Sequence, residues 1–93
     1  MNNQSVINAF ICGKSANSSN RNLRSYGNKL VSYYTTIAER LADGTIVLNR
    51  TKYSVSTSKI QTWLLGDVLN NGLKHNEVYN VPLGASNLIK YIK

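Results

Sequence analysis

Asp43-Gly44 stands between two stretches of alternating apolar and polar residues, and no other feature of the chain restricts its fold as much. An Asp-Gly pair supplies the left-handed backbone that a tight hairpin turn requires. Before it, residues 29–41 carry Val31, Tyr33, Thr35, Ile37 and Leu41 at a spacing of two. After it, residues 45–53 set Ile46 and Leu48 on one parity and Val47, Asn49, Thr51 and Tyr53 on the other. The spacing predicts one long half-buried strand, a turn and a second strand. Folding at the turn sets Leu41 opposite Ile46, Glu39 opposite Leu48 and Ile37 opposite Arg50. The inner face then collects Val31, Tyr33, Ile37, Leu41, Ile46 and Leu48, with Glu39 diagonal to Arg50 as a neutralising pair. The outer face collects Tyr34, Thr36, Ala38, Arg40, Val47, Asn49, Thr51 and Tyr53. A slip of one residue would exchange the two sets.

Gly27-Asn28 marks an earlier hairpin turn, so a third strand precedes the long one. Upstream, helix and strand compete over residues 5–12, with Ser5 as cap and Gly13 as stop favouring a short helix, and residues 14–22 read as a polar loop. Downstream, Ile60, Trp63, Leu64, Val68 and Leu69 form one apolar helical stripe. Ser58 with Gln61 reads as a capping box, Ser56 or Thr57 as an earlier cap, and Gly72 with Leu73 as a Schellman end. Residues 77–81 fit a short edge strand stopped by Pro82, and residues 86–93 fit a terminal helix only weakly. The expected architecture is one α+β domain over 1–93. It comprises a short helix and polar loop (1–20), a three-stranded antiparallel sheet (21–53), a helix packed on it (57–72) and a C-terminal extension (73–93).

Charge and composition narrow the function classes. Eleven Lys and Arg against four Asp and Glu give a net charge of +7, and seven of the bases fall between Arg21 and Lys59. The excess therefore belongs to the sheet half rather than to a tail. A hydrophobic fraction of 42% is too high for a disordered basic arm. No apolar run approaches the ~20 residues that cross a bilayer, and no basic flank precedes a long apolar core, so neither a membrane partner nor a secretory leader is expected. A cytoplasmic setting is expected. Thirteen Asn and six Tyr favour hydrogen-bonding surfaces with aromatic tips, although AT-rich codon usage accounts for the same bias.

Catalytic chemistry has little to work with. One cysteine, Cys12, and one histidine, His75, allow neither an internal disulfide nor a Cys/His zinc site. His75 and Glu77 would share a strand face, but they also read as ordinary loop residues beyond a helix. Cys12 lies in an apolar stretch where inert cysteines are common. Gly13-Lys14-Ser15 lacks the first glycine of a phosphate loop and the strand before it. No catalytic residue, metal or cofactor is expected.

Gly27, Leu30, Ser32-Tyr33, Ile37-Ala38, Asp43-Gly44, Tyr53-Ser54 and Thr57-Ser58 make a pattern over residues 22–58, with Phe10 and Gly13 ahead of it. This pattern resembles a family of small uncharacterised proteins of phages and other mobile elements. Where that family continues Lys-His-Gln, the chain has Lys59-Ile60-Gln61, so a histidine role there is absent. The resemblance implies a mobile-element setting in a bacterial host and no mechanism.

Within that setting the residues favour binding. Arg40, Arg50, Lys52 and Lys59 are the expected phosphate contacts, Tyr34 and Tyr53 the expected stacking rings, and Arg21 and Arg24 contributors to the field. The helix start, with its free N–H groups, is an expected phosphate seat. The expected partner is nucleic acid or a host nucleoprotein. The alternative is an acidic host protein surface, engaged by an inhibitor of host defence in the manner of anti-CRISPR proteins, because Tyr- and Asn-rich faces suit protein recognition equally. A homodimer through an unpaired sheet edge is a third arrangement the sequence allows.

Overall fold

A computed structural model of the chain describes residues 2–19 and 22–92. Helix α1, Asn3–Ile11, starts from Asn2, whose side-chain oxygen accepts the Ser5 N–H at 2.8 Å. Ser5, the expected cap, is therefore already inside the helix. Val6, Ile7 and Phe10 fall on one side at helical spacing and are fully buried. Gly13, at φ +77°, ends the helix, and the Gly13 and Lys14 N–H groups return to the Phe10 and Ala9 carbonyls in a Schellman motif.

The class is α+β, but the sheet has six strands rather than three, and it is mixed. The strands are β1 (Ala16–Asn17), β2 (Leu23–Tyr26), β3 (Lys29–Ser32), β4 (Thr35–Arg40), β5 (Ile46–Asn49) and β6 (His75–Val78). They lie in sequence order, antiparallel except for β6, which runs parallel to β5 after the crossover through helix α2 (Val55–Asn70). Two sequence expectations change here. The polar loop contributes an edge strand, β1, paired with β2 through Ala16 and Ser25. The long strand over 29–41 is itself a hairpin, turning at Tyr33-Tyr34 with Ser32 opposite Thr35. Tyr33 takes φ +57°, so this turn has left-handed backbone at a residue that carries a side chain.

The Asp43-Gly44 turn forms, and Asp43 Oδ1 accepts the Thr45 N–H at 2.9 Å. This holds the Asp43 carboxyl below its ordinary range, with Lys74 assisting. The register across the turn is one residue from the expected one: Arg40 faces Ile46, Glu39 faces Val47 and Ala38 faces Leu48. A bulge between β3 and β4 adds a second break in alternation. Val31 pairs with Thr36 and Leu30 with Ala38, which leaves Ile37 unpaired between them. Ile37 and Ala38 consequently both enter the helix-side core with Ile46 and Leu48.

That core is closed by Val6, Ile7 and Phe10 of α1 and by Ile60, Leu64 and Val68 of α2. Each such buried side chain contributes about 1.5–3 kcal/mol by leaving water. Ser54, not Ser58, caps α2 and accepts the Thr57 N–H. Gln61 is not the partner of a capping box but a buried strut, donating to the Asn49 and Thr51 carbonyls. The C-terminal end of α2 is a Schellman motif: Gly72, at φ +63°, bonds the Leu69 carbonyl and Leu73 bonds that of Val68. Trp63 and Leu69, expected in the apolar stripe, are exposed by 39% and 57%.

The opposite sheet face, expected to be open, is crossed by residues 79–92. Val81 and Leu88 pack on Val47 and Val78 in a second core. Polar bonds fix this strap: Leu88 N–H to the buried Glu39 Oε1 at 2.8 Å, Gly84 N–H to Thr35 Oγ1 at 2.8 Å, and Thr36 Oγ1 to the Ser86 carbonyl at 2.9 Å. The last turn, Ile89–Tyr91, is 3-10 rather than α-helical. No helix among the described residues is long and apolar enough to cross a membrane.

Candidate binding site

Three segments meet at one end of the sheet and enclose a cleft of about 930 Å³, within the size range of sites that hold small ligands. The β3–β4 turn contributes Ser32, Tyr33, Tyr34 and Thr35, the β5–α2 connection contributes Thr51 to Thr57 except Val55, and the strap contributes Leu83 and Gly84. Local chemistry fixes each wall. The Tyr33 N–H bonds the Asn22 carbonyl at 2.6 Å, which ties the turn to the start of β2. Tyr53 is anchored through its hydroxyl, which donates to the Val81 carbonyl at 2.7 Å and accepts from Asn49 Nδ2 at 2.8 Å. Thr57, buried behind the cleft, has its hydroxyl 3.2 Å from those of both Ser32 and Ser54. Gln61 holds the carbonyls of Asn49 and Thr51 from below, so the connection cannot drift from the helix.

Against this braced floor Tyr34 is 84% exposed and Tyr33 46%. Among the described residues, Lys52 is the only charged side chain in the lining, which holds no acid. Val55 and Ser56 occupy the first two helical positions of α2, where backbone N–H groups have no acceptor within the helix. The helix dipole adds partial positive charge at the same end. The cleft thus combines aromatic surface with one cation and, beside it, the start of α2.

Of the expected binding residues, the cleft gathers Tyr34, Lys52 and Tyr53. The others lie elsewhere. Arg40, expected on the outer face, is on the helix side, where its guanidinium bonds the Phe10 and Ile11 carbonyls and lies 4.9 Å from the Phe10 ring centre. Arg50 pairs with Glu77 at 3.4 Å and not with Glu39, which is buried beneath the strap. That pairing also engages the carboxylate that the sequence offered to His75. His75 instead has Nδ1 3.4 Å from the Leu73 carbonyl. Lys59 stands over the Trp63 ring at 5.2 Å, and Arg24 over Tyr26 at 5.8 Å. Arg21 lies outside the described residues. The bulge at Ile37 and the shifted register explain the placement of Arg40, because they turn Ala38 and Arg40 to the helix side, while the strap covers the face on which Val47 lies. Tyr33, Leu83 and Gly84 escaped sequence reading: no Gly, Pro or Asn announces the Tyr33-Tyr34 turn, and nothing local to Leu83 specifies where the strap docks.

No group of three or more His, Cys, Asp or Glu suited to a metal occurs among the described residues. Comparison with protein-family models, with curated proteins and with solved structures finds no match for the chain.

Proposed function

We propose that the protein is a small, non-enzymatic binding protein for single-stranded nucleic acid, an accessory of the kind mobile elements carry into the bacterial cytoplasm. One observation carries the reading: the cleft sets Tyr33, Tyr34 and Tyr53 beside Lys52 and the start of α2, with no acid in its lining. A base with a free face stacks on an exposed tyrosine, and each such contact is worth about 1–3 kcal/mol. The phosphate beside it accepts from the Val55 and Ser56 N–H groups and is neutralised by Lys52. Single strands are favoured because their bases can be splayed onto the rings, whereas a duplex keeps its faces stacked. The net charge of +7 adds a non-specific field that brings the strand in.

The test is binding of single- and double-stranded DNA and RNA oligomers between ~50 and 200 mM salt, with Tyr34→Ala alongside. Single strands retained at the higher salt, and lost by at least about fivefold in Tyr34→Ala, support the reading. Equal, salt-abolished binding of all four nucleic acids, unchanged by Tyr34→Ala, overturns it and leaves a protein partner as the occupant of the cleft.

A further inference from the structure

The described arginines divide sharply by what they touch. Arg40 caps the end of α1 and Arg50 pairs with Glu77. The Arg24 side chain makes no hydrogen bond or ion pair among the described residues, and its Nε is buried without a partner. Such an atom in a well-packed chain calls for an explanation. Its guanidinium is nonetheless held in place, 5.8 Å from the centre of the Tyr26 ring, and that ring is 49% exposed.

The register puts this pair on the two strands that lead away from the cleft, on the face opposite the Ser32 side chain. Leu23, which is in the helix-side core, faces Ser32, a cleft residue. Arg24 faces Val31, and Tyr26 faces Lys29. Residues two apart on a strand share a face, so Arg24 and Tyr26 project from the side away from the helices. Lys29 and Val31 accompany them there. From the Leu23–Ser32 pair to the Tyr26–Lys29 pair is three residues, about 10 Å at ~3.4 Å per residue. That span matches about three nucleotides at the stacked rise of ~3.4 Å.

We infer that Arg24 and Tyr26, with Lys29, form a second contact for the strand held in the cleft, so that the bound nucleic acid runs along β2 and β3 and occupies roughly five or six nucleotides in all. The occupant is one single-stranded nucleic acid, and the inference rests on the proposed function of the cleft. Charge complementarity selects it: Arg24, Lys29 and an exposed ring lie on one strand pair, and the Arg24 guanidinium, set over that ring, has no carboxylate partner among the described residues. The cation over the ring also stiffens the platform on which a base would stack.

Oligothymidylates of three and eight nucleotides separate this inference from the cleft reading. The native protein is expected to bind the longer oligomer at least about tenfold more tightly than the shorter, beyond the statistical gain from extra registers. Tyr26→Ala and Arg24→Ala are expected to remove most of that difference while binding the trimer as the native protein does. Arg24→Ala should also lower the salt slope by about 0.7. Tyr26→Phe, which keeps the ring, should bind the octamer normally and guards against a folding defect, as does the thermal melt of each variant. Native affinity of both alanine variants for the octamer, with Tyr34→Ala still impaired, overturns the second contact and leaves the cleft reading standing. Failure of the native protein to bind either oligomer overturns both.

Discussion

Arg40→Ala separates a surface cation from a structural one. On the sequence register this arginine belongs to the binding face, and its loss should weaken nucleic acid and leave stability nearly unchanged. In the structure its guanidinium bonds the last carbonyls of α1, those of Phe10 and Ile11, and lies against the Phe10 ring. Hydrogen bonds involving a charged group contribute about 1.5–3 kcal/mol. A cation at a helix C-terminus adds about 0.3–1 kcal/mol and one over a ring about 0.5–1 kcal/mol, with overlap among the three because one group makes them all. Arg40 is only half-buried, so solvent screens part of this, and a loss of about 2 kcal/mol is expected for Arg40→Ala. For a chain of this size, that lowers the melting temperature by ~8–16 °C. Urea unfolding followed by circular dichroism measures it, with Arg40→Lys expected to recover part of the loss because it keeps the charge without the planar fork. Affinity for single strands, measured below the lowered transition, should be within about twofold of the native protein. A melt within 2 °C of native together with a tenfold loss of affinity would refute the placement of Arg40.

Gln61→Ala removes the donor shared by the buried Asn49 carbonyl and the half-buried Thr51 carbonyl and should cost about 2–3 kcal/mol in urea unfolding. An exposed capping box would lose no more than ~1 kcal/mol, so the size of the effect distinguishes strut from cap. Glu39→Ala leaves the Leu88 N–H without its acceptor, and hydrogen exchange at Leu88 should quicken by about tenfold or more while α2 amides keep their protection. Unchanged exchange at Leu88 would mean that the strap is held by Val81 and Leu88 packing alone. The Asp43 carboxylate, lowered by the Thr45 N–H, contributes stability above its unfolded pKa that is lost as pH falls through the folded value. Asp43→Asn should therefore narrow the gap in stability between pH 6 and pH 3, read from melting curves at each pH.

Turn chemistry made much of the sheet readable. Asp43-Gly44 and Gly27-Asn28 both announce hairpins, and both are found between paired strands. The Tyr33-Tyr34 turn is silent because neither residue is a turn former, and the tyrosines look like strand residues in an unbroken alternation. The Ile37 bulge then shifts parity within β4, so period-two reasoning carried from Val31 to Leu41 assigns the faces wrongly. Long-range docking was illegible for a different reason. The strap is held by hydrogen bonds from residues 81–88 to Thr35, Thr36, Glu39 and Thr51, none of which leaves a local signature. Part of the cleft was nevertheless legible. The chemistry of Tyr34, Lys52 and Tyr53 marks them as binding residues, and they line it although the open outer face expected for the two tyrosines does not exist.

The cleft as a seat for single strands is tested most directly by following backbone amide shifts during titration with a short oligothymidylate and with a duplex of equal length. Saturable shifts for the single strand at Tyr33, Tyr34, Lys52 and Gly84 are expected, with the Val55 and Ser56 amides moving downfield as they bond a phosphate. The duplex should move them little. Shifts of equal size for both ligands, centred on Lys14, Lys74 and Lys90 and leaving Val55 and Ser56 still, would contradict the account.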